Sequence, residues 1–284
     1  MQTIKLGGVP EHFNLPIHLA KERGDFEKRG IDLEWTTFRG GTGQMTKALR
    51  NKEVDACVLL TEGIINDIIK GNDSKIISIY VTTPLCWGIH TGANNPLATY
   101  ADIFSKTYGI SRFGSGSHLM AIVDANSKGH KIQKDQFNII KNLDGALDSL
   151  SALESDVFYW EKFTTKPYVD SGQLKRIGEY LTPWPCFVIA ATDDILKRAP
   201  EDIIRMLRVI HDSCDLFMKD ADAIELVSKR YEQKIEDVER WYHSTEWAIH
   251  GWISDKMLDN VLYNLKLAGI VDKTVKMPEL IWKR

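Results

Sequence analysis

The stretch Ile31-Asp32-Leu33-Glu34-Trp35, followed by Phe38-Arg39-Gly40-Gly41-Thr42-Gly43-Gln44, decides how this chain is read. The first five residues alternate apolar and polar side chains, the period of a half-buried strand. Met45, Ala48 and Leu49 then recur at helical spacing. A strand, a glycine turn and a helix start therefore follow one another. Three glycines within positions 40–43 let another group approach the backbone closely. The first N–H groups of the helix are free for an anion or a polar head group. The spacing is neither a Walker A loop nor a dinucleotide fingerprint, so nucleotide binding gains little support. A tight strand-to-helix turn explains the glycines about as well, and their weight comes from the surroundings.

Outward from this turn the same order recurs. Residues 3–9 read as a strand closed by Pro10-Glu11-His12-Phe13, and Asn14 stands where it can cap a helix with Pro16 in its first turn. Residues 54–60 form an apolar run that turns at Thr61-Glu62-Gly63 into a helix stopped by Gly71, and 75–81 is strand-like again. Strands alternating with helices at this spacing imply a parallel α/β sheet, with ligands collecting beyond the carboxyl ends of its strands. The turns at Glu11–Phe13, Arg39–Gln44 and Thr61-Glu62 all fall at that edge. Further on, 107–111 reads as a strand, and Arg112-Phe113-Gly114-Ser115-Gly116-Ser117-His118 opens another helix with hydroxyls at its N-terminus. Strands are expected at 137–140, 156–159 and 174–180, with a helix at 145–153 and short helical pieces at 97–104. After the apolar strand 186–191 the chain becomes helical, with helices expected at 201–218, 221–231, 235–243 and 254–267.

The 284 residues suggest roughly two domains, at ~150 residues each. With 43% apolar and 26% charged residues a sizeable core can form. The net charge of −3 gives no bulk attraction to nucleic acid or acidic lipid. The four cysteines are far apart and lack zinc spacing. No apolar segment is long enough to cross a bilayer. Met1 and Gln2 lead straight into Thr3-Ile4-Lys5-Leu6. A cytoplasmic location is expected of the chain as written, and a periplasmic one if a signal peptide has been removed.

The run from Ala20-Lys21-Glu22-Arg23-Gly24-Asp25-Phe26 through Gly30-Ile31-Asp32-Leu33 resembles the A-x-x-x-G-x-F-x-x-x-G-(I/L)-x-(V/L) stretch of substrate-binding proteins for sulfonates, nitrate and thiamine-pyrimidine precursors. Lys52-Glu53-Val54-Asp55-Ala56 is similar to the segment before their third strand, with Asn51-Lys52 in place of the usual glycine step. The turns at Glu11–Pro16, Gly40–Gln44 and Thr61–Gly63 resemble a periplasmic-binding-protein-like subgroup found in bacteria and fungi, which includes members without a secretion signal. The resemblance implies an α/β, two-lobed type II periplasmic-binding-protein fold with a hinge and a helical C-terminal section. Lobe one would be residues 1–90 with 184–284, and lobe two residues 91–183. The lobes would close on a ligand in the cleft between them.

Site expectations follow from both readings. Glu11 and His12 follow the first strand, as ligand contacts or as a solvated loop acid and its capping neighbour. Glu62, beside Thr61, either receives a ligand amine or ring N–H or merely favours a helix N-terminus. Arg39 and Arg112 are placed to clamp an anion, although surface or hinge ion pairs are the commoner use of arginine. Gly41, Thr42, Gly43 and Gln44, with Ser115, Gly116, Ser117 and His118, are natural polar contacts at helix starts. Trp87, Trp160 and Trp184, with Glu161 beside Trp160, lie near strand ends or crossovers, where an indole can stack on a flat ligand. Trp241, Trp247 and Trp252 are expected in the core.

The leading functional expectation is reversible capture of a small anionic or zwitterionic organic molecule with a flat part, with no cofactor or metal. If exported, the protein would hand its cargo to an ABC permease; if cytosolic, it would buffer or sense a metabolite. The alternative is a cytosolic enzyme on the same fold, related to thiamine-pyrimidine or menaquinone biosynthesis. The cysteine-rich cluster of the fungal pyrimidine synthase is absent, and no nucleophile elbow is present. A regulator's effector domain ranks last, since no helix-turn-helix precedes the first strand.

Overall fold

The computed structural model describes residues 1–272 and 279–283. The chain divides into two compact units: unit 1 contains Met1–Thr83 and Trp184–Asp259 with the C-terminal segment, and unit 2 contains Pro84–Pro183 with 260–272. The expected boundary at residue 90 falls inside a strand that pairs within unit 2, so that unit begins at Pro84. Part of the expected 184–284 segment, residues 273–278 and 284, lies outside the described residues.

Unit 1 opens with strand β1 (Gln2–Gly8), helix α1 (Leu15–Glu22), β2 (Ile31–Thr37), α2 (Thr42–Arg50), β3 (Ala56–Leu60), α3 (Thr61–Ile69) and β4 (Ser74–Val81). Unit 2 follows with β5 (Cys86–Gly92), β6 (Tyr108–Ile110), α4 (Gly116–Ser127), β7 (Phe137–Ile139), α5 (Leu143–Ser151), β8 (Val157–Glu161), α6 (Lys166–Asp170) and β9 (Leu174–Leu181). The chain then returns to unit 1 through β10 (Phe187–Thr192), α7 (Asp193–Arg198), α8 (Pro200–Met218), α9 (Ala223–Tyr231) and α10 (Ile235–His243). The last helix, α11 (Asp255–Leu267), begins in unit 1 and ends in unit 2.

The two sheets repeat one plan, with order β2-β1-β3-β10-β4 in unit 1 and β7-β6-β8-β5-β9 in unit 2. In each, four strands are parallel and one is antiparallel: β10 against β3 and β4, β5 against β8 and β9. The antiparallel strand is each time the first one formed after the chain enters the unit. A parallel α/β sheet was expected, and four strands of each sheet follow it, the fifth being this entry strand. All five residues of β3 and all six of β10 are buried, as a strand covered on both faces requires. Gly7 and Gly8 end β1 because larger residues do not fit: a Cβ there would lie 2.4 Å from the Phe38 ring or the Trp35 ring. Among the described residues no helix is long and apolar enough to cross a membrane.

Three local expectations differ. The 97–104 segment is a 3-10 helix over Tyr100–Ser105, and α6 and α7 were not anticipated. Asn14 donates its amide to Val9 O at 2.8 Å instead of capping α1. Trp241 and Trp247 are core residues at 1% exposure, whereas Trp252 is 68% exposed.

Candidate functional site

At the carboxyl edge of the unit 1 sheet, α2 starts at the glycine turn. Gly41 precedes it at φ +66, a left-handed conformation that suits glycine. The backbone N–H groups of Thr42 and Gly43 make no hydrogen bond among the described residues, as the first turn of a helix predicts. Thr42 is buried, and its Oγ1 accepts from Leu60 N at 3.2 Å, which ties the start of α2 to the end of β3. Its methyl leaves no room at Gly63, where a Cβ would lie 2.4 Å from Thr42 Cγ2. Gln44 is exposed and turns back on its own loop, its Oε1 accepting from Gly40 N at 2.9 Å. Arg39 is exposed and forms no ion pair among the described residues.

The start of α3 is fixed from the far side of the sequence. Thr61 Oγ1 donates to Pro185 O at 2.7 Å, and Thr61 N to Cys186 O at 3.1 Å. This pins the 184–186 segment, and the buried Trp184 donates its indole N–H to Glu62 Oε2 at 2.8 Å. Glu62 is 0% exposed, and its Oε1 has no hydrogen-bond partner among the described residues. Burial pushes its carboxyl up from 4.5 to about 7, against the opposing pull of its own backbone N–H and the Trp184 indole. Unit 1 thus brings Gly41, Thr42 and Gly43 together with Thr61, Glu62 and Trp184.

His12 does not join them. It is 1% exposed and packs edge-on against Trp241, with ring centroids 4.0 Å apart, near Phe13 and Tyr231. Burial lowers its imidazole to about 3, so it is neutral. The rim contact expected of His12 is therefore corrected: three aromatic rings draw it into the core. Its neighbour Phe13 is held by Tyr80 Oη and Trp247 Nε1, which both donate to Phe13 O, at 2.8 and 2.9 Å. Glu11, just before this anchor, stays half-exposed at the rim.

In unit 2 the carboxyl edge carries the start of α4. Ser115 caps the helix, accepting from His118 N at 3.4 Å, and Ser115 Oγ and Ser117 Oγ lie 3.0 Å apart. Ser117 Oγ accepts from Ser111 N, and His118 Nδ1 accepts from Gly114 N at 3.0 Å, which leaves the imidazole proton on Nε2. The N–H groups of Gly116 and Ser117 are unpaired among the described residues. Arg112 is half-buried, and desolvation lowers its guanidinium below the usual range.

Trp87 and Glu161 face each other across β5 and β8 at the same edge. Glu161 is spent on its own turn, its Oε2 accepting from Thr164 N at 2.6 Å and Thr164 Oγ1 at 2.8 Å. It reads as a loop clamp rather than a free ligand contact. Trp87 is 4% exposed, with an indole N–H that finds no partner among the described residues. Trp160 stacks on Phe158 at 5.3 Å and leans on the core cluster of Ile140, Ala146, Leu150 and Leu174. Of the three tryptophans expected to stack on a flat ligand, two are buried and the third is mostly committed to packing.

Two groups escaped the sequence reading. Asn66, one turn beyond Glu62 on α3, is buried with an unpartnered Oδ1. A polar residue among Ile64, Ile65 and Ile68 was the available signal. Asp124, at 0% exposure on α4, accepts from Tyr100 Oη and Tyr159 Oη, each at 2.6 Å. Burial raises its carboxyl, while the two phenols oppose the shift.

A profile of the Ca3427-like PBP family matches residues 87–180. A comparison with curated proteins finds no match. Among solved structures, the Candida albicans CA3427 gene product is 30% identical and superposes with a TM-score of 0.91, over 97% of this chain and 92% of that one. The alkanesulfonate-binding protein SsuA from Xanthomonas axonopodis pv. citri, bound to MOPS, is 14% identical with a TM-score of 0.81, over 99% and 98%. The periplasmic nitrate-binding protein NrtA from Synechocystis PCC 6803 is 16% identical with a TM-score of 0.65, over 84% and 69%. Each sheet follows one strand plan with a single antiparallel entry strand, and this order, the profile and the 30% identity agree: the chain belongs to the family defined by the Candida albicans CA3427 protein, which has the periplasmic-binding-protein fold.

Proposed function

We propose that this protein captures a small anionic or zwitterionic organic molecule and releases it unchanged. The observation that carries the reading is the company at one rim of unit 1. Unpaired N–H groups at the start of α2 sit in the same framework as a buried carboxyl whose second oxygen has no partner. An anionic end suits the first and a hydrogen-bond donor the second. The α4 start in unit 2, with two buried serines and two unpaired N–H groups, is a second place for anionic or polar atoms. The sulfonate- and nitrate-binding neighbours support a solute of this kind without naming it. Closure of the family's hinge on the solute, and delivery to a permease, belong to the same proposal.

Native mass spectrometry of protein purified gently from its own host tests it, with a denatured run to identify what is released. One intact organic ion, released unchanged, is the expected result. A reactant–product pair, or a covalently modified residue, would replace capture by catalysis.

A further inference from the structure

Glu62 and Asn66 present two acceptor oxygens on one face of α3, four residues and about one turn apart. Both side chains are at least nine-tenths buried, and neither Glu62 Oε1 nor Asn66 Oδ1 has a partner among the described residues. The residues between them on the helix, Gly63, Ile64 and Ile65, offer no donor side chain, and the Thr61 hydroxyl beside Glu62 is spent on Pro185 O. Resting on the solute-binding reading above, we infer that these two oxygens are the receptor for a nitrogen donor, so that the captured molecule carries an amino, ammonium or amidine-type group.

The fold prepares Glu62 for that task. Trp184 donates to Oε2, which fixes the carboxyl plane and leaves Oε1 as the open acceptor. Trp184 is held in turn, because Thr61 binds the carbonyls of Pro185 and Cys186. Trp184 is therefore a positioning residue, acting through Glu62. A hard metal ion is a poor occupant, since it takes about six or more oxygens and two are on offer. An amino group supplies two or three N–H bonds in one place, as two neighbouring acceptors require.

The test uses matched compounds that differ by one amino group: 4-aminopyrimidine against pyrimidine, and 3-aminopropanesulfonate against propanesulfonate. Dissociation constants are measured with wild-type protein, Glu62→Gln, Asn66→Asp and Trp184→Phe. The expected result is tighter binding of each amino compound to wild type by roughly tenfold or more, because a site built for N–H groups rejects analogues that lack them. In Glu62→Gln the Trp184 N–H keeps the amide oxygen and turns the NH2 toward the solute, so the preference should vanish or reverse. Asn66→Asp should strengthen it. Trp184→Phe should shrink the ratio between matched compounds, a readout that loss of folded protein alone does not move.

Equal affinities within both pairs would overturn the inference and leave solute capture standing. If none of the four compounds binds, the molecule released in native mass spectrometry decides: one with an N–H donor supports the receptor, and one without overturns it. No binding and no released molecule would overturn capture and receptor together.

Discussion

Glu62 and His12 pull the pH dependence of stability in opposite directions. Glu62 ionises near 4.5 in the unfolded chain and near 7 in the folded one, so the folded chain holds the extra proton between those values. Its contribution is fully present at low pH and is lost as pH rises through that window, about 3 kcal/mol in all. His12 falls from 6.5 to about 3, so the unfolded chain holds its extra proton, and stability drains as pH falls below 6.5. His90, also lowered to about 3 by burial, acts with His12. The opposed slopes partly cancel in the wild type. Glu62→Gln should therefore steepen the loss of stability toward acid, and His12→Phe should flatten it, in urea midpoints taken from about pH 4 to about pH 8. Unchanged pH slopes in both variants would show that neither group titrates as its burial requires. Sequence made Glu62 a candidate because it follows a strand end, but its partner Trp184 lies 122 residues away and no local pattern announces the bond. His12 misled for the same reason: Tyr231 and Trp241, which bury it, belong to the distant helical section.

The packing of α2 against α3 depends on a missing side chain. Alanine is the better helix former by ~1 kcal/mol, yet at Gly63 its Cβ would lie 2.4 Å from the Thr42 methyl. Thr42 cannot turn the methyl away freely, because its Oγ1 accepts from Leu60 N. Gly63→Ala should cost about 1–3 kcal/mol, the usual range for overpacking. Thr42→Ser removes the methyl and keeps the acceptor oxygen, so the double variant should recover most of the loss in denaturant melts. A Gly63→Ala protein as stable as wild type would show that the two helices part without cost. Elements with a regular apolar pattern were legible in the sequence: β1, β3, β4, β10 and the four long helices of the later chain all lie near their expected places. Strand β5 was not, since Cys86-Trp87-Gly88-Ile89-His90-Thr91-Gly92 has two glycines and a buried His-Thr pair where alternation should be. His90 is accommodated there because other elements meet both ring nitrogens: Thr165 Oγ1 lies 2.9 Å from Nε2 and Phe158 O lies 3.4 Å from Nδ1.

Across the molecule, the repeated strand plan sets where the backbone is hardest to open. In unit 1 the central strands β3 and β10 are wholly buried and paired on both edges, whereas β2 ends in exposed residues. The other edge strand, β4, is shielded, because Ile76 exchanges hydrogen bonds with Leu280 and Trp282 and Val81 bridges Trp247. In unit 2 the central pair is β8 and β5, and the edges β7 and β9 are half-exposed with no such cover among the described residues. Opening a strand costs free energy in proportion to the buried contacts and hydrogen bonds it gives up. Native-state hydrogen exchange should therefore find the slowest amides in β3 and β10 of one unit and β8 and β5 of the other. β4, more deeply buried and covered by the C-terminal bridge, should exchange more slowly than β2. Removing residues 279–283 should speed β4 toward β2 while leaving β8 and β5 unchanged. Unchanged exchange in β4 after the truncation would mean that the C-terminal bridge contributes no protection.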